Sequence, residues 1–576
     1  MILQALKEYY DRKPGELSPI GWIRQKIDYA IILTKEGHLQ QLDCLQELKD
    51  GKRESFPCHV PNIGKQALKH TNSGIDANLL WDNAAFVLGV GKNGDKKLAS
   101  FIETIKQWLG EVNDQTISAV LCFLKAGKAN PGVFAPITKH PDFGEDIASG
   151  RPTMTFRLFG EKDFVFARPL IKQAIADKWS RLAENIGPGI CLVTGNPDNI
   201  EPCHTVIKGV WGAQMSGATI VGFNYPAFCS FDKDQGANAP VGKIAAFAYT
   251  TALNHLLGKD SKQRMQVGDA STVFWAQKAT DFESQVVDFF GEPPKDNPDR
   301  NARAVESLFR SVQSGTFVAD DARNRFYVLG LAPNASRIAI RFWIMDTVAG
   351  MASKIRQHFE DTRIVHGPRD KDFFSLFRLL VCTAVQGKAD NIPPNLGGDT
   401  MRAILEGLPY PQTLLSAAIR RIRAEHEITY LRAALIKACI NRATRYQNPS
   451  IKEEMHVSID PNNTNIGYRL GRLFATLERI QIRKHTQKGG KEPNSTIRDR
   501  YYGSASGTPV TVFGTLIRLS KHHLASLENV GERINFEKLL GEIMCGISDF
   551  PAHLKLEDQG RFAIGYYHQM QDFFTK

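Results

Sequence analysis

Asp232 and Asp234 share a Lys-containing loop, and His204 lies upstream of them. Carboxylates and an imidazole are what a metal-dependent nuclease acting on DNA or RNA needs to hold a divalent ion and activate water. That alternative rests on residue type alone, because two acids in one loop define no coordination geometry. Cys58-His59, Cys203-His204 and His522-His523 are adjacent pairs, a poor spacing for chelating one metal ion. Gly89, Gly91 and Gly94 spell G-x-G-x-x-G. A dinucleotide site would also need a second parallel strand ending in an acid ~20 residues on. The chain instead continues as GEVNDQTISAVLCFL with helical spacing, so a Gly-rich turn explains the motif. There is no Walker lysine motif, no H-E-x-x-H, no C-x-x-C and no obvious Ser/His/Asp set. The sequence points away from an enzyme, and neither a metal nor a cofactor is expected.

Other residues suit the gripping of polyanions. Lys69-His70-Thr71-Asn72-Ser73-Gly74 combines cations, hydroxyls, an amide and a glycine, although Asn, Ser and Thr equally favour a turn or helix cap. Lys208–Gly217 (KGVWGAQMSG) has three glycines, with Gln214, Met215 and Ser216 near its tip. It reads as a mobile or tightly turned loop, or as a hairpin holding Trp211 in a core. On the strand RIAIRFWI, Arg337, Ala339 and Arg341 share one face while Ile338, Ile340 and Phe342 share the other. That is a half-buried strand with a basic outer side. At 100° per residue, Arg469, Arg472, Arg479 and Arg483 fall within an arc of about 80°, beside a separate stripe of Ile466, Leu470, Leu473, Phe474, Leu477 and Ile480. Such a helix buries one side and shows a row of guanidinium groups on another. A solvated helix face is the plain alternative, although Glu478 is the only acid within that helix to pair with the row.

These residues sit on two kinds of sequence. Ile2–Tyr10, Leu98–Leu109 and residues 115–125 have helical spacing. ICLVTG (190–195), ATIVGFN (218–224), STVFWA (271–276), FYVLGL (326–331) and RIAIRFWI (337–344) read as strands, the last two joined by a Pro-Asn turn. KADNIPPNLGGDT (388–400) reads as a domain linker. Beyond it, Pro411–Arg442, Asn465–His485, Val512–Leu527 and Ile534–Ile547 read as helices of a bundle. The expected class is α+β and multi-domain: a mixed α/β region over residues 1–390 and a basic helical bundle over 400–576.

The chain has 576 residues and a formal net charge of +11. Residues 401–500 hold 18 Lys and Arg against nine Asp and Glu, which raises the expectation of a nucleic-acid surface. Apolar runs are far shorter than the ~20 residues of a membrane helix, and the N-terminus carries charge too early for a signal peptide. Nine unpatterned cysteines, mostly in apolar surroundings, are expected to be buried, reduced thiols of a cytoplasmic protein.

Three blocks carry a resemblance: KHTNSGIDANLLWDNAAFVLG (69–89), the long run from Cys191 to Leu257 that includes CHTVIKGVWGAQMSGATIVGFNYPAFCSFDKDQGANAPVG, and VGDASTVFWA with VLGLAPNASRIAIRFW (267–276 and 328–343). In order and spacing the sequence resembles the large subunit of the type I-C CRISPR surveillance complex, Cascade. Trp81 stands where a smaller residue is expected. The resemblance implies a non-catalytic subunit that reads the protospacer-adjacent motif (PAM) in double-stranded target DNA. It would promote duplex opening and R-loop formation, hold the displaced strand and help recruit a helicase-nuclease effector. Base pairing with the guide then reads the target. The implied partners are CRISPR guide RNA, target DNA, the backbone and handle-processing subunits, a small helical subunit and the helicase-nuclease. Lys69, Thr71, Asn72, Ser73 and Gly74 would touch the motif, as would Lys208 and Ser216, with Gln214 and Met215 as a wedge. Arg337 and Arg341 would contact the guide handle or a protein neighbour, and the four ridge arginines would contact the displaced strand or heteroduplex backbone. The small subunit would arise by internal translation from Met455, giving 455–576.

Overall fold

In a computed structural model of the chain, the described residues are 1–49, 52–63, 75–184, 189–223, 225–291, 302–316, 323–393, 395–487, 490–491 and 493–575. The fold is α+β, with small sheets and helices interspersed up to Thr347 and, among the described residues, helices without strands beyond it. Two compact units emerge. One comprises Met1–Gly209, Ala213–His255 and Asn334–Ile338; the other comprises Val210–Gly212, Leu256–Pro333 and Ala339–Lys576.

The first unit is built on a four-stranded sheet in the order Leu39–Cys44, Tyr29–Leu33, Thr153–Leu158, Trp81–Asn83. Tyr29–Leu33 runs parallel to Thr153–Leu158, with Ile31 opposite Phe156. Every residue of this YAIIL strand is buried, as an unbroken apolar run should be in a strand covered on both faces. The helices Gly94–Leu109 and Gln115–Ala129 contribute Phe101, Ile105, Val120 and Phe123 to the same core. Both match their sequence patterns. The G-x-G-x-x-G stretch is a turn feeding the first of them. Gly89 and Gly91 have φ of 66° and 76°, and a Cβ on Gly94 would lie 1.9 Å from the Gly89 carbonyl oxygen.

Two expected strands are absent as strands. ICLVTG contributes only its first residue, Ile190, to the two-residue ladder of Gly189–Ile190 with Pro197–Asp198, and the described part of ATIVGFN only isolated bridges through Ala218 and Thr219. Their polar backbone makes scattered loop bonds, such as Leu192 N to Pro240 O and Thr219 N to Ser336 O, so apolar composition alone did not require a sheet.

A second sheet, in the second unit except for Asn334–Ile338 at its hairpin turn, has the order Arg264–Val267, Ala270–Ala276, Arg325–Asn334, Arg337–Thr347. The last two strands are the anticipated hairpin, turning through Ala335 at φ 53°. One core runs from Met265 and Phe274 through Met351, Ile404 and Leu435 to Leu473, Phe562 and Tyr567. Residues on both sides of 388–400 share that core, so the compact units do not divide there. The glycines of the expected linker lie instead inside a helix, Leu396–Glu406, which buries Leu396, Gly397 and Thr400.

Pro411–Arg442 is two helices, Gln412–Glu425 and Tyr430–Gln447, separated at His426 with φ 54°. The helix Ile466–Thr486 starts at an Asn465 cap whose side chain accepts from Tyr468 N. Its main partner, Leu556–Thr575, has no counterpart among the helices expected from sequence. The two cross through glycines. A Cβ on Gly471 would lie 2.0 Å from the Phe562 carbonyl oxygen, and one on Gly565 would lie 2.1 Å from that of Tyr468. Glycines that weaken the helical pattern of Leu556–Thr575 are what permit this approach.

Candidate nucleic-acid interface

Lys69, Thr71, Asn72, Ser73 and Gly74 lie outside the described residues. The second candidate loop is built from its neck outward. Ile207 and Ala218 are both buried and exchange two backbone hydrogen bonds of 2.8 and 2.9 Å. Asn254 fastens the neck further: its Oδ1 accepts from Lys208 N at 2.8 Å and its Nδ2 donates to Val206 O at 3.1 Å. The tip closes with Gly217 N donating to Gln214 O, with Gly217 at φ 94°. Lys208, Gln214, Met215 and Ser216 are all exposed, Met215 fully so. Trp211 is 64% exposed, with its backbone N bonded to Ser271 Oγ; the idea that it anchors a core does not hold.

Arg337 stacks on Phe228, its guanidinium 3.9 Å from the ring centre. Arg341 is half exposed and pairs with Asp269 at 2.9 Å. The expected alternation on this strand fails at Ile340, which is 47% exposed.

The arginine ridge needs correction. Ile466–Thr486 is packed on several sides, and its arginines are engaged within the bundle rather than displayed as a bare row. Arg472 is 3% exposed; it donates to Gln569 Oε1 at 3.1 Å and pairs with Glu542 at 3.0 Å. Arg483 makes a two-pronged pair with Glu532, whose carboxylate holds the guanidinium pKa above its ordinary value. Arg479 lies over Phe573 and Phe574. Arg469 donates to Asn463 O at 2.7 Å and lies against Gly546, which caps the helix Val530–Cys545 at its carbonyl end. A cation there complements the helix dipole. The acids that meet Arg472 and Arg483 come from another helix, which no in-helix spacing rule can see. Glu478, the one acid of the ridge helix, is buried and accepts from Tyr566 and Thr496.

Folding also assembles a group of basic side chains that sequence reasoning missed. Lys484 and His485 end the ridge helix, and His522 and His523 end Phe513–Ala525. Partial burial, followed by the neighbouring Lys484, His485 and His522, pushes the His523 pKa down. The two pairs are far apart in sequence, and the spacing of His522-His523 alone raises only the question of a metal.

The residues of the nuclease alternative are His204, Asp232 and Asp234. His204 is buried, its Nδ1 2.5 Å from the Tyr249 hydroxyl, and burial pulls its pKa down to about 4. Asp232 and Asp234 lie on an exposed crest. Among the described residues, no three His, Cys, Asp or Glu side chains group as a metal site. All nine cysteines are free thiols, but only Cys191, Cys382 and Cys439 are buried; Cys122, Cys203 and Cys545 are exposed. No described helix is long and apolar enough to cross a membrane.

The chain carries exposed loop tips at 214–216 and 230–235 in one unit and a helical bundle in the other. The class it falls in is that of the CRISPR-associated proteins. The family model Cas_Csd1, described as "CRISPR-associated protein (Cas_Csd1)", matches residues 6–574, and the chain belongs to that family. No curated protein matches it.

Proposed function

We propose that this chain is the non-catalytic large subunit of a type I-C Cascade. In that role it reads the PAM beside the target, starts duplex opening and R-loop formation, holds the displaced strand and helps recruit the helicase-nuclease. Membership of a CRISPR-associated family supports the setting. The observation that carries the DNA-opening part is the loop 207–218. Its neck is clamped by paired backbone bonds and Asn254, and its tip holds Gln214 and a fully exposed Met215 in solvent. An apolar side chain on a rigid stalk is what a wedge between base pairs requires. Lys208 and Ser216 flank it for phosphate and base-edge contact, and Lys69–Gly74 supplies motif contacts.

The test is binding of the assembled, guide-loaded complex to duplexes with randomised flanking sequence. The wild-type complex selects a short motif. Met215→Ala together with Gln214→Ala lowers the yield of opened duplex, read by permanganate reactivity, while leaving motif selection in place. Equal binding to all flanks would overturn the reading. So would Mg²⁺- or Mn²⁺-dependent cleavage by the purified chain that Asp232→Ala abolishes.

The segment around Met455 bears on the proposed second product, 455–576. Met455 is buried, and both its backbone N and O bond to the Asn441 side chain. Glu454 is bound by Arg561 and Thr444, and Glu453 by Lys437. A product starting at Met455 lacks both acids but keeps the glycine crossing of Ile466–Thr486 with Leu556–Thr575 and the Arg561–Asp558 pair. N-terminal mass spectrometry of the purified complex detects this product; finding full-length chain alone would reject it.

A further inference from the structure

The crest Ser230–Gln235 is exposed at nearly every position, and Phe231 is 91% exposed. A frayed loop would explain that cheaply, but this loop is constructed. Asn238 Oδ1 accepts from Ser230 N at 3.0 Å, while Asn238 Nδ2 donates to Lys233 O at 2.8 Å and to Gln235 O at 3.1 Å. Its foot is fixed at buried Gly236, whose N donates to Pro202 O at 3.0 Å; a Cβ there would lie 2.1 Å from Glu201 O. Within this frame Phe231, Asp232 and Gln235 adopt φ of 54°, 55° and 44°. Left-handed backbone in non-glycine residues costs free energy, roughly 1–2 kcal/mol per residue. Phe231 repays none of it by burial, and strain maintained without internal return points to a functional role.

The surroundings indicate the occupant. Tyr225 and Phe228, 58% and 40% exposed, form an edge-on pair in the turn just before the crest, and Arg337 stacks on Phe228. Aromatic faces beside a guanidinium are a stacking platform for bases. The carboxylates of Asp232 and Asp234 disfavour a phosphate, but a carboxylate accepts well from the exocyclic amino group of a base. A paired base offers no free face; an unpaired one offers both face and edge.

We propose that the 230–235 crest captures an unpaired nucleobase, stacking it on Phe231 with its amino edge toward Asp232. This rests on the reading of the chain as a nucleic-acid-handling subunit and adds a contact which that reading does not assign. The base comes either from the guide RNA or from DNA freed by duplex opening.

The test places the photo-crosslinker p-benzoylphenylalanine at position 231 in the full-length chain within the guide-loaded complex. Guide RNA and each DNA strand carry distinct labels. Crosslinking before target addition identifies guide RNA as the source; crosslinking to a DNA strand only after target addition identifies opened DNA. Crosslinks to protein alone, or none, overturn the proposal. In parallel, Phe231→Gly relieves the left-handed backbone and keeps or raises thermal stability, yet weakens retention of the captured strand about tenfold, within the range of one base stack. Phe231→Trp retains it. An unchanged affinity in Phe231→Gly counts against the proposal. The wild-type complex binding all flanks equally would sink the motif-reading function separately, whatever residue 231 contacts.

Discussion

The four arginines at 469, 472, 479 and 483 show how far one residue's role depends on its neighbours. Their helical phase is correct, but phase does not reveal what lies opposite. Glu532 lies opposite Arg483 and Glu542 opposite Arg472, so these two cations tie helices of the bundle together. Arg472→Ala is expected to destabilise the second unit by about 2–3 kcal/mol, the loss of hydrogen bonds to a charged group, read as a lower midpoint in urea. A variant that melts normally but binds DNA with a shallower salt dependence would restore the strand-contact reading. For the proposed motif contacts of Lys69–Gly74, Asn72→Ala is expected to weaken binding to correct targets by ~1–3 kcal/mol, the worth of one good base contact, with assembly unchanged on size-exclusion chromatography.

The crossing of Ile466–Thr486 with Leu556–Thr575 is decided at the level of whole helices. Gly471→Ala drives a methyl into the Phe562 carbonyl and should cost about 1–3 kcal/mol or more, as overpacking does. Gly541 lies on the helix Val530–Cys545, where a Cβ would meet no atom within 4 Å, so Gly541→Ala should stabilise by about 0.4–1 kcal/mol. Paired thermal melts check both, and equal effects would mean that the close crossing is not what makes Gly471 necessary. Helix existence was legible from periodicity for Gly94–Leu109, Gln115–Ala129 and Ile466–Thr486. The helix Leu556–Thr575 was not, because Gly560 and Gly565 weaken local propensity and their benefit lies on another helix.

Across the whole molecule, buried histidines link stability to pH. Burial pulls His204 down to about 4 and both His358 and His568 to about 3. Each is neutral when folded but takes a proton below about 6.5 when unfolded. Stability from these groups is complete above that value and falls as pH drops toward 4, by roughly 2 kcal/mol per histidine at pH 5. Burial raises the pKa of the Glu201 carboxyl, which acts the opposite way and trims the effect in the first unit. Denaturant midpoints at pH 7 and pH 5 measure it; equal midpoints would mean that these rings are not shielded.

What the amino-acid order settled alone was local and repetitive. The 325–347 hairpin follows from two β-branched and aromatic runs joined by a Pro-Asn turn, the main amphipathic helices follow from side-chain period, and the three motif blocks carry the family resemblance. Tertiary structure alone decided which polar groups meet. It paired Arg472 and Arg483 with distant glutamates, carried one core across 388–400, buried His204 against Tyr249 and held Phe231 out on a wired crest. Periodicity is a property of neighbours along the chain, whereas pairing, burial and close backbone approach depend on residues that only folding brings together.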